Sequence, residues 1–257
     1  MSRSIARKII IFVSGLSLVP AMAQPSARRL HDHNLHTWMV YAGDHSLAGR
    51  WGLHLEGQWR RHDGGVRPQQ ILLRPAINYQ LSRDIALSAG YAYVTTHRYG
   101  EYPVQTPFPE HRLYQQATIQ RKAGRLDFLH RLRTEQRWIG QLRISPGADA
   151  GERAWRYQNR FRYMLRLVVP LKRAPWYFAS SNELFLNYAP AHGARTFDQN
   201  RAFAGVGRVI GRETRLEAGY MQQTLLQRNA RVLELNHTIQ VALYSRLAFG
   251  REAARRN

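Results

Sequence analysis

Arg156-Tyr157-Gln158-Asn159-Arg160-Phe161-Arg162-Tyr163-Met164-Leu165-Arg166-Leu167-Val168-Val169 alternates polar with apolar side chains. Side chains of a strand point to opposite faces with a period of two. One face therefore carries Arg156, Gln158, Arg160, Arg162 and Arg166, and the other carries Tyr157, Phe161, Tyr163, Leu165, Leu167 and Val169. A helix would scatter the arginines around its surface. The stretch exceeds the roughly nine to eleven residues that a tilted strand needs to cross a bilayer. It predicts a membrane-spanning β-strand with a wet, cationic inner face.

The start of the chain predicts the compartment. Arg3, Arg7 and Lys8 precede an apolar run from Ile9 to Val13 that continues through Leu16 and Leu18. Pro20 breaks it, and Ala21-Met22-Ala23 places small residues where a signal peptidase reads, so residues 1–23 are expected to be a cleavable signal peptide. The run is too short for a transmembrane helix, which needs about twenty residues. No cysteine stands at the cleavage point, which excludes a lipid anchor there, and a chain with no cysteine has no disulfide framework.

The charge is large and peculiar in kind. The chain carries 38 basic and 17 acidic residues, a formal +21. Lysine occurs only at Lys8, Lys122 and Lys172, so 35 of the 38 (38 − 3) are arginine. A nucleic-acid binder would group basic residues in patches or helical stripes. Here they fall at alternate positions in extended segments, and export removes the chain from nucleic acid. Arginine suits crowded sites because its planar fork holds several acceptors at once.

The same alternation recurs along the chain. Ten strands are predicted, at 50–61, 69–81, 84–97, 110–122, 125–138, 156–169, 176–188, 199–210, 214–226 and 232–247. Inward positions include Glu56, Arg74, Glu110, Arg112, Asp127, Arg131, Arg133, Glu135 and Arg137 before the opening stretch, and Glu183, Arg201, Arg215, Glu217, Glu234 and Arg246 after it. Short connections at 82–84, 122–125, 172–175 and 211–213 alternate with longer ones at 62–68, 98–109, 139–154 and 189–198. That alternation is the pattern of outer-membrane barrels, and a soluble sandwich does not require it. Trp59, Tyr79, Trp138, Trp155, Trp176 and Tyr188 near strand ends fit aromatic girdles, and Phe249 ends the last strand as barrel-assembly machinery favours.

The predicted architecture is therefore all-β: an antiparallel transmembrane barrel over 50–249, with a basic tail at 250–257. Residues 24–49 are an N-terminal segment holding at most one short strand, 35–42. An even strand number is required if both ends lie on the periplasmic side, which gives ten strands or twelve.

Leu73-Arg74-Pro75, Ala89-Gly90-Tyr91-Ala92-Tyr93, Glu110-His111-Arg112-Leu113-Tyr114-Gln115-Gln116, Arg131-Leu132-Arg133-Thr134-Glu135-Gln136-Arg137, Asn182-Glu183-Leu184-Phe185-Leu186-Asn187, Asp198-Gln199-Asn200-Arg201 and Glu217-Ala218-Gly219-Tyr220 occur in that order. In these motifs the chain resembles the bacterial domain-of-unknown-function 2490 family of exported proteins. The resemblance spans nearly the whole chain after the signal. It implies an outer-membrane barrel and carries no activity to transfer.

For the lumen, the inward acids and arginines predict a self-satisfied ionic core, because a broken buried pair leaves a costly charge. Two alternatives stand beside it. Excess arginine in a narrow pore would favour anions. An outer-membrane lipid-modifying enzyme would need a nucleophile and base at the rim, for which His97, His111, Ser180 and Ser181 are the candidates. Arg98, Arg143 and Arg153 in the longer loops are candidate contacts for lipopolysaccharide phosphates and outer-membrane lipids. His31-Asp32-His33 and His36 read as a tail rather than a metal site, and no cofactor motif is present.

Overall fold

The computed structural model describes residues 29–104, 106–143, 152–172, 175–188 and 196–249. The expected signal peptide and the basic tail lie outside the described residues. Eleven strands follow one another: β1 (Leu30–Ser46), β2 (Trp51–His62), β3 (Arg67–Gln80), β4 (Ile85–Thr96), β5 (Phe108–Ala123), β6 (Leu126–Arg143), β7 (Glu152–Pro170), β8 (Trp176–Tyr188), β9 (Phe197–Ile210), β10 (Thr214–Leu226) and β11 (Val232–Ser245). There is no α-helix among the described residues. Each strand pairs antiparallel with its sequence neighbour, and β1 pairs parallel with β11 to close the barrel. Closure leaves no unpaired sheet edge.

The strand number corrects the expectation of ten or twelve. The segment before residue 50 is a full wall strand of 17 residues, not a short one. An odd count makes the first and last strands run the same way, so the closing ladder has to be parallel. It runs from Leu30↔Val232 to Gly43↔Ser245. The sequence hides β1 because its inner face is not uniformly polar: Trp38, Val40 and Ala42 line the lumen together with Asp44. The His31–His36 group is split by the same alternation. Asp32 and His36 are buried inside, while His33 faces out and stacks on His237.

The strands also extend into two expected loops. The stretch 62–68 tightens to a single 3-10 turn, Asp63–Gly65, and strand continues into 139–143 and 152–154. Connections at 47–50, 81–84, 124–125, 171–175 and 211–213 lie at one mouth, called here the short-turn mouth. The strand ends that β2 and β3, β4 and β5, β6 and β7, β8 and β9, and β10 and β11 share lie at the other, the long-loop mouth.

Register fixes the size. A path of paired residues from Ser46 through Gly52, Asn78, Ser88, Gln116, Arg133, Arg162, Phe185, Gln199, Leu225 and Glu234 returns to β1 at Asp32, a stagger of fourteen residues (46 − 32). The stagger is even, so inward residues rejoin inward residues around the ring. With a rise of about 3.3 Å per residue and about 4.8 Å between strands, eleven strands so staggered tilt by about 40°.

Two bulges interrupt the ladders near the long-loop mouth. Between Arg60 and Arg61 the pairing skips Gln69, and between Phe185 and Leu186 it skips Asp198. A bulge re-aims the extra side chain. Gln69 and Asp198 therefore join Gln70 and Gln199 on the lumen wall.

Small inner residues make room for rings. A Cβ on Gly207 would sit 2.0 Å from Tyr177 Cζ, and one on Gly219 would sit 2.8 Å from Phe203 Cε2. Tyr177 and Phe203 pack with Trp38, Ala179 and Met221 as the apolar part of the interior. The connection 97–107 folds into the long-loop mouth. Gly100, at φ +77, brings its backbone against Asp32, where any Cβ would lie 2.5 Å from Oδ2. Tyr99 donates its hydroxyl to Glu234 Oε2 over 2.9 Å. Gln227 Nε2 donates to the Tyr102 carbonyl over 2.9 Å.

Candidate functional site

The interior is a cavity of about 1860 Å³ lined by residues from all eleven strands. The wall of β6 and β7 is its most densely charged part, because the alternation of the opening stretch turns Arg156, Arg160, Arg162 and Arg166 inward. Four carboxylates organise the middle of the lumen. Glu135 Oε2 accepts from Arg160 Nε at 2.9 Å and Nη2 at 2.5 Å, while Oε1 accepts from Arg162 Nη1 at 2.6 Å. Glu183 Oε1 accepts from Arg162 Nη2 at 2.8 Å and from Arg131 Nη2 at 2.9 Å. Asp198 Oδ2 accepts from Arg160 Nη1 at 2.8 Å and lies 3.9 Å from Arg137 Nη1. Glu110 accepts from Arg112 Nε at 2.7 Å and from Arg137.

These contacts form one unbroken run of alternating charge: Arg112, Glu110, Arg137, Asp198, Arg160, Glu135, Arg162, Glu183, Arg131. It ties five strands, β5 to β9, through their side chains as well as their backbones. Glu135 and Arg160 are 1% and 3% exposed, so removing either leaves a nearly dry charge short of a partner, a change worth about 3–5 kcal/mol in buried pairs.

The other inward charges lie apart from that run. Arg74 Nη1 donates to Glu56 Oε2 at 2.6 Å, and Arg166 donates to Glu217, in each case away from Glu135. Arg156 donates to Gln158 Oε1 at 3.2 Å. Asp127, expected to face the β7 arginines, sits at the short-turn mouth 3.6 Å from Lys122 and more than two-fifths exposed. Arg215 and Arg246 line that same mouth. Glu234 is buried at the opposite mouth with Tyr99, Gln227 and Asn236, and no arginine lies within 4 Å of it among the described residues.

Three inward rings carry guanidiniums on their faces. Arg60 lies 3.8 Å and Arg201 4.9 Å from the Trp38 ring centre. Arg160, Arg162 and Arg201 surround Phe185 at 5.2, 4.3 and 4.8 Å, and Arg74 and Arg133 approach Tyr114 at 5.7 and 4.5 Å. A desolvated cation over a ring gains up to about 2 kcal/mol, so the rings hold acid-paired arginines such as Arg74 and Arg162 together with Arg60 and Arg201, which no acid reaches within 4 Å among the described residues. Sequence reasoning missed Trp38 and Phe185 because aromatics were expected on the outer wall. It missed Asp198 because a bulge leaves no mark in the alternation.

The outer face has the opposite character. Every strand presents at least one exposed large apolar residue, in chain order Met39, Leu55, Leu73, Leu87, Leu113, Leu142, Leu165, Phe178, Val206, Leu216 and Val241. The enzyme candidates are not brought together. His111 faces outward, its Nδ1 2.5 Å from the Tyr91 hydroxyl, whereas Ser181 lines the lumen three strands away. Arg98 is exposed in the connection 97–107, and the side chains of Arg143 and Arg153 lie outside the described residues.

A closed all-β barrel, apolar outside and ionic within, is the class of protein that these features define. The chain belongs to the family described as protein of unknown function DUF2490, whose profile matches residues 35–234. It is also 30% identical over 244 residues to an uncharacterized protein of Methylorubrum extorquens, covering 92% of this chain and 97% of that protein.

Proposed function

We propose that this protein is a bacterial outer-membrane β-barrel whose lumen is crossed by the arginine–carboxylate run as a structural ionic core. The supporting observation is the inverted amphipathicity of the closed wall. Soluble monomers rarely expose contiguous apolar patches beyond a few hundred Å², yet here apolar residues emerge from every strand around the ring. A twelve-residue strand tilted by about 40° rises about 30 Å, enough for the roughly 25 Å apolar band of such barrels. Trp51 and Trp176 begin their strands at the short-turn mouth, and Trp155 and Tyr188 lie near the other, as interfacial girdles require.

In that setting the short-turn mouth faces the periplasm and the long-loop mouth the exterior. Exposed basic groups such as Arg98 then meet the phosphates of lipopolysaccharide. Phe249, whose ring lies 4.5 Å from that of His45, is the terminal aromatic offered to the assembly machinery. The reading is tested by fractionating cells and running the membrane fraction unheated and boiled. Heat-shifted migration in the outer-membrane fraction is expected. Recovery as a soluble periplasmic protein with no shift overturns it.

One observation favours a second reading, a narrow anion-preferring pore. The cavity is lined from Arg83 and Arg212 at one mouth to Arg228 and Asn229 at the other, and arginine outnumbers acid between them. Planar-bilayer recording separates the two. Discrete anion-selective steps support the pore, and silence at all voltages supports the closed core.

A further inference from the structure

Arg60 and Arg201, deep in the lumen, have no acid within 4 Å among the described residues. Arg60 is 6% exposed and gives its Nε and Nη2 to Gln58 and its Nη1 to Gln70, at 2.8 Å for the Nε bond and 2.5 Å for the Nη1 bond. Arg201 reaches Gln199 Oε1 at 3.4 Å. Gln223 Nε2 donates to that same Gln199 oxygen and holds it in place. All these acceptors are neutral amides, which orient a guanidinium without cancelling its charge. Glu183, directly opposite Arg201 in the β8–β9 ladder, is already engaged by Arg131 and Arg162.

Both groups lie over the same Trp38 ring, at 3.8 and 4.9 Å. Arg112 faces them from β5. It spends Nε and Nη2 on Glu110 and keeps Nη1 free of any hydrogen bond among the described residues. The three repel one another across the lumen, and all three line the cavity. Uncompensated charge at such burial costs several kcal/mol unless a counter-charge arrives.

We propose that Arg60, Arg112 and Arg201 form a binding site for a small dianionic oxyanion of the phosphate class, seated in the lumen beside Trp38. Two full positive charges without acids call for two negative ones. Planar guanidinium forks match the oxygens of a tetrahedral oxyanion in pairs. The neutral glutamines keep the forks aimed without competing for the ligand. This site goes beyond the membrane assignment and does not depend on it, since it needs only the folded barrel.

The test is calorimetric titration of the full-length folded barrel in detergent with sodium phosphate at fixed ionic strength. One saturable site is expected, with a change in tryptophan emission that disappears in Trp38→Phe. Arg60→Gln and Arg201→Gln are each expected to weaken binding at least tenfold, whereas Arg83→Gln at the short-turn mouth leaves it unchanged. Arg201→Lys keeps the charge but loses the fork, and is expected to bind more weakly than the parent and more tightly than Arg201→Gln. A parental far-ultraviolet circular dichroism spectrum and unfolding transition establish that each variant is folded before it is titrated. Absence of saturable binding, binding indifferent to both glutamine substitutions, or acetate binding as tightly as phosphate overturns the proposal.

Discussion

Asp198 and Arg160 meet although β8 separates their strands. Arg160 Nη1 donates to Asp198 Oδ2 over 2.8 Å because the bulge at residue 198 turns that carboxylate into the lumen. The bulge thus connects the Glu110–Arg137 part of the ionic run to the Glu135–Arg162–Glu183 part. Asp198→Asn is expected to destabilise the folded barrel by about 1–2 kcal/mol, less than a fully buried acid, because the Asp198 side chain is 20% exposed. Denaturant unfolding followed by tryptophan emission measures it, and a midpoint equal to the parent's would show that the bulge carboxylate contributes nothing.

Glu135 sits at the centre of the run, holding both Arg160 and Arg162. Glu135→Ala is expected to cost about 3–5 kcal/mol. Glu101→Ala, in the exposed connection 97–107, is expected to stay within about 0.5 kcal/mol of the parent. Equal unfolding midpoints for the two variants contradict the ionic core.

Tyr99 fastens the connection 97–107 to the wall through Glu234. Burial and then the neighbouring Glu234 carboxylate hold the phenol well above its ordinary range. The closed connection therefore favours the protonated phenol, and the released one titrates near its usual value of about 10. Between those two values only the released form loses its proton, so closure weakens as pH rises above about 10. The chain has no cysteine, which makes a spin label at Glu101→Cys unique. Its mobility is expected to increase with alkaline pH, and Tyr99→Phe in the same background is expected to abolish that dependence.

Leu73 projects from β3 at mid-wall and is 56% exposed. In a bilayer, Leu73→Arg is expected to destabilise the barrel by about 2–4 kcal/mol, as for cations near the midplane of a lipid-facing wall. In a water-soluble barrel the same substitution would be nearly silent. Folding into liposomes, with the folded fraction read by gel migration, discriminates the two.

The wall was largely legible in the sequence, and the reasons are particular. Along β7, Arg160 and Arg162 fall inside and Phe161 and Tyr163 outside, because period-two alternation needs only residue identity. β1 resisted the same treatment, since Trp38, Val40 and Ala42 face inward where polar residues were expected. Gln69 and Asp198 were unreadable for a different reason: each bulge adds a single residue to a ladder, and only pairing with the neighbouring strand reveals it. The grouping of acids with arginines depended on the stagger between strands. Arg166 reaches Glu217 three strands away, and no spacing along the chain encodes that encounter.

The parallel ladder between β1 and β11 gives the molecule a direction that an even-stranded barrel lacks. β1 begins with Leu30 at the long-loop mouth and β11 ends with Ser245 at the short-turn mouth, so the two ends of the wall lie on opposite sides of the ring. No short linker could join them, which rules out the simple circular permutation that neighbouring ends allow. Once the barrel is set in a bilayer, single cysteines at Leu30 and at Ser245 should be labelled from opposite sides. The two strand ends then report the orientation of the ring.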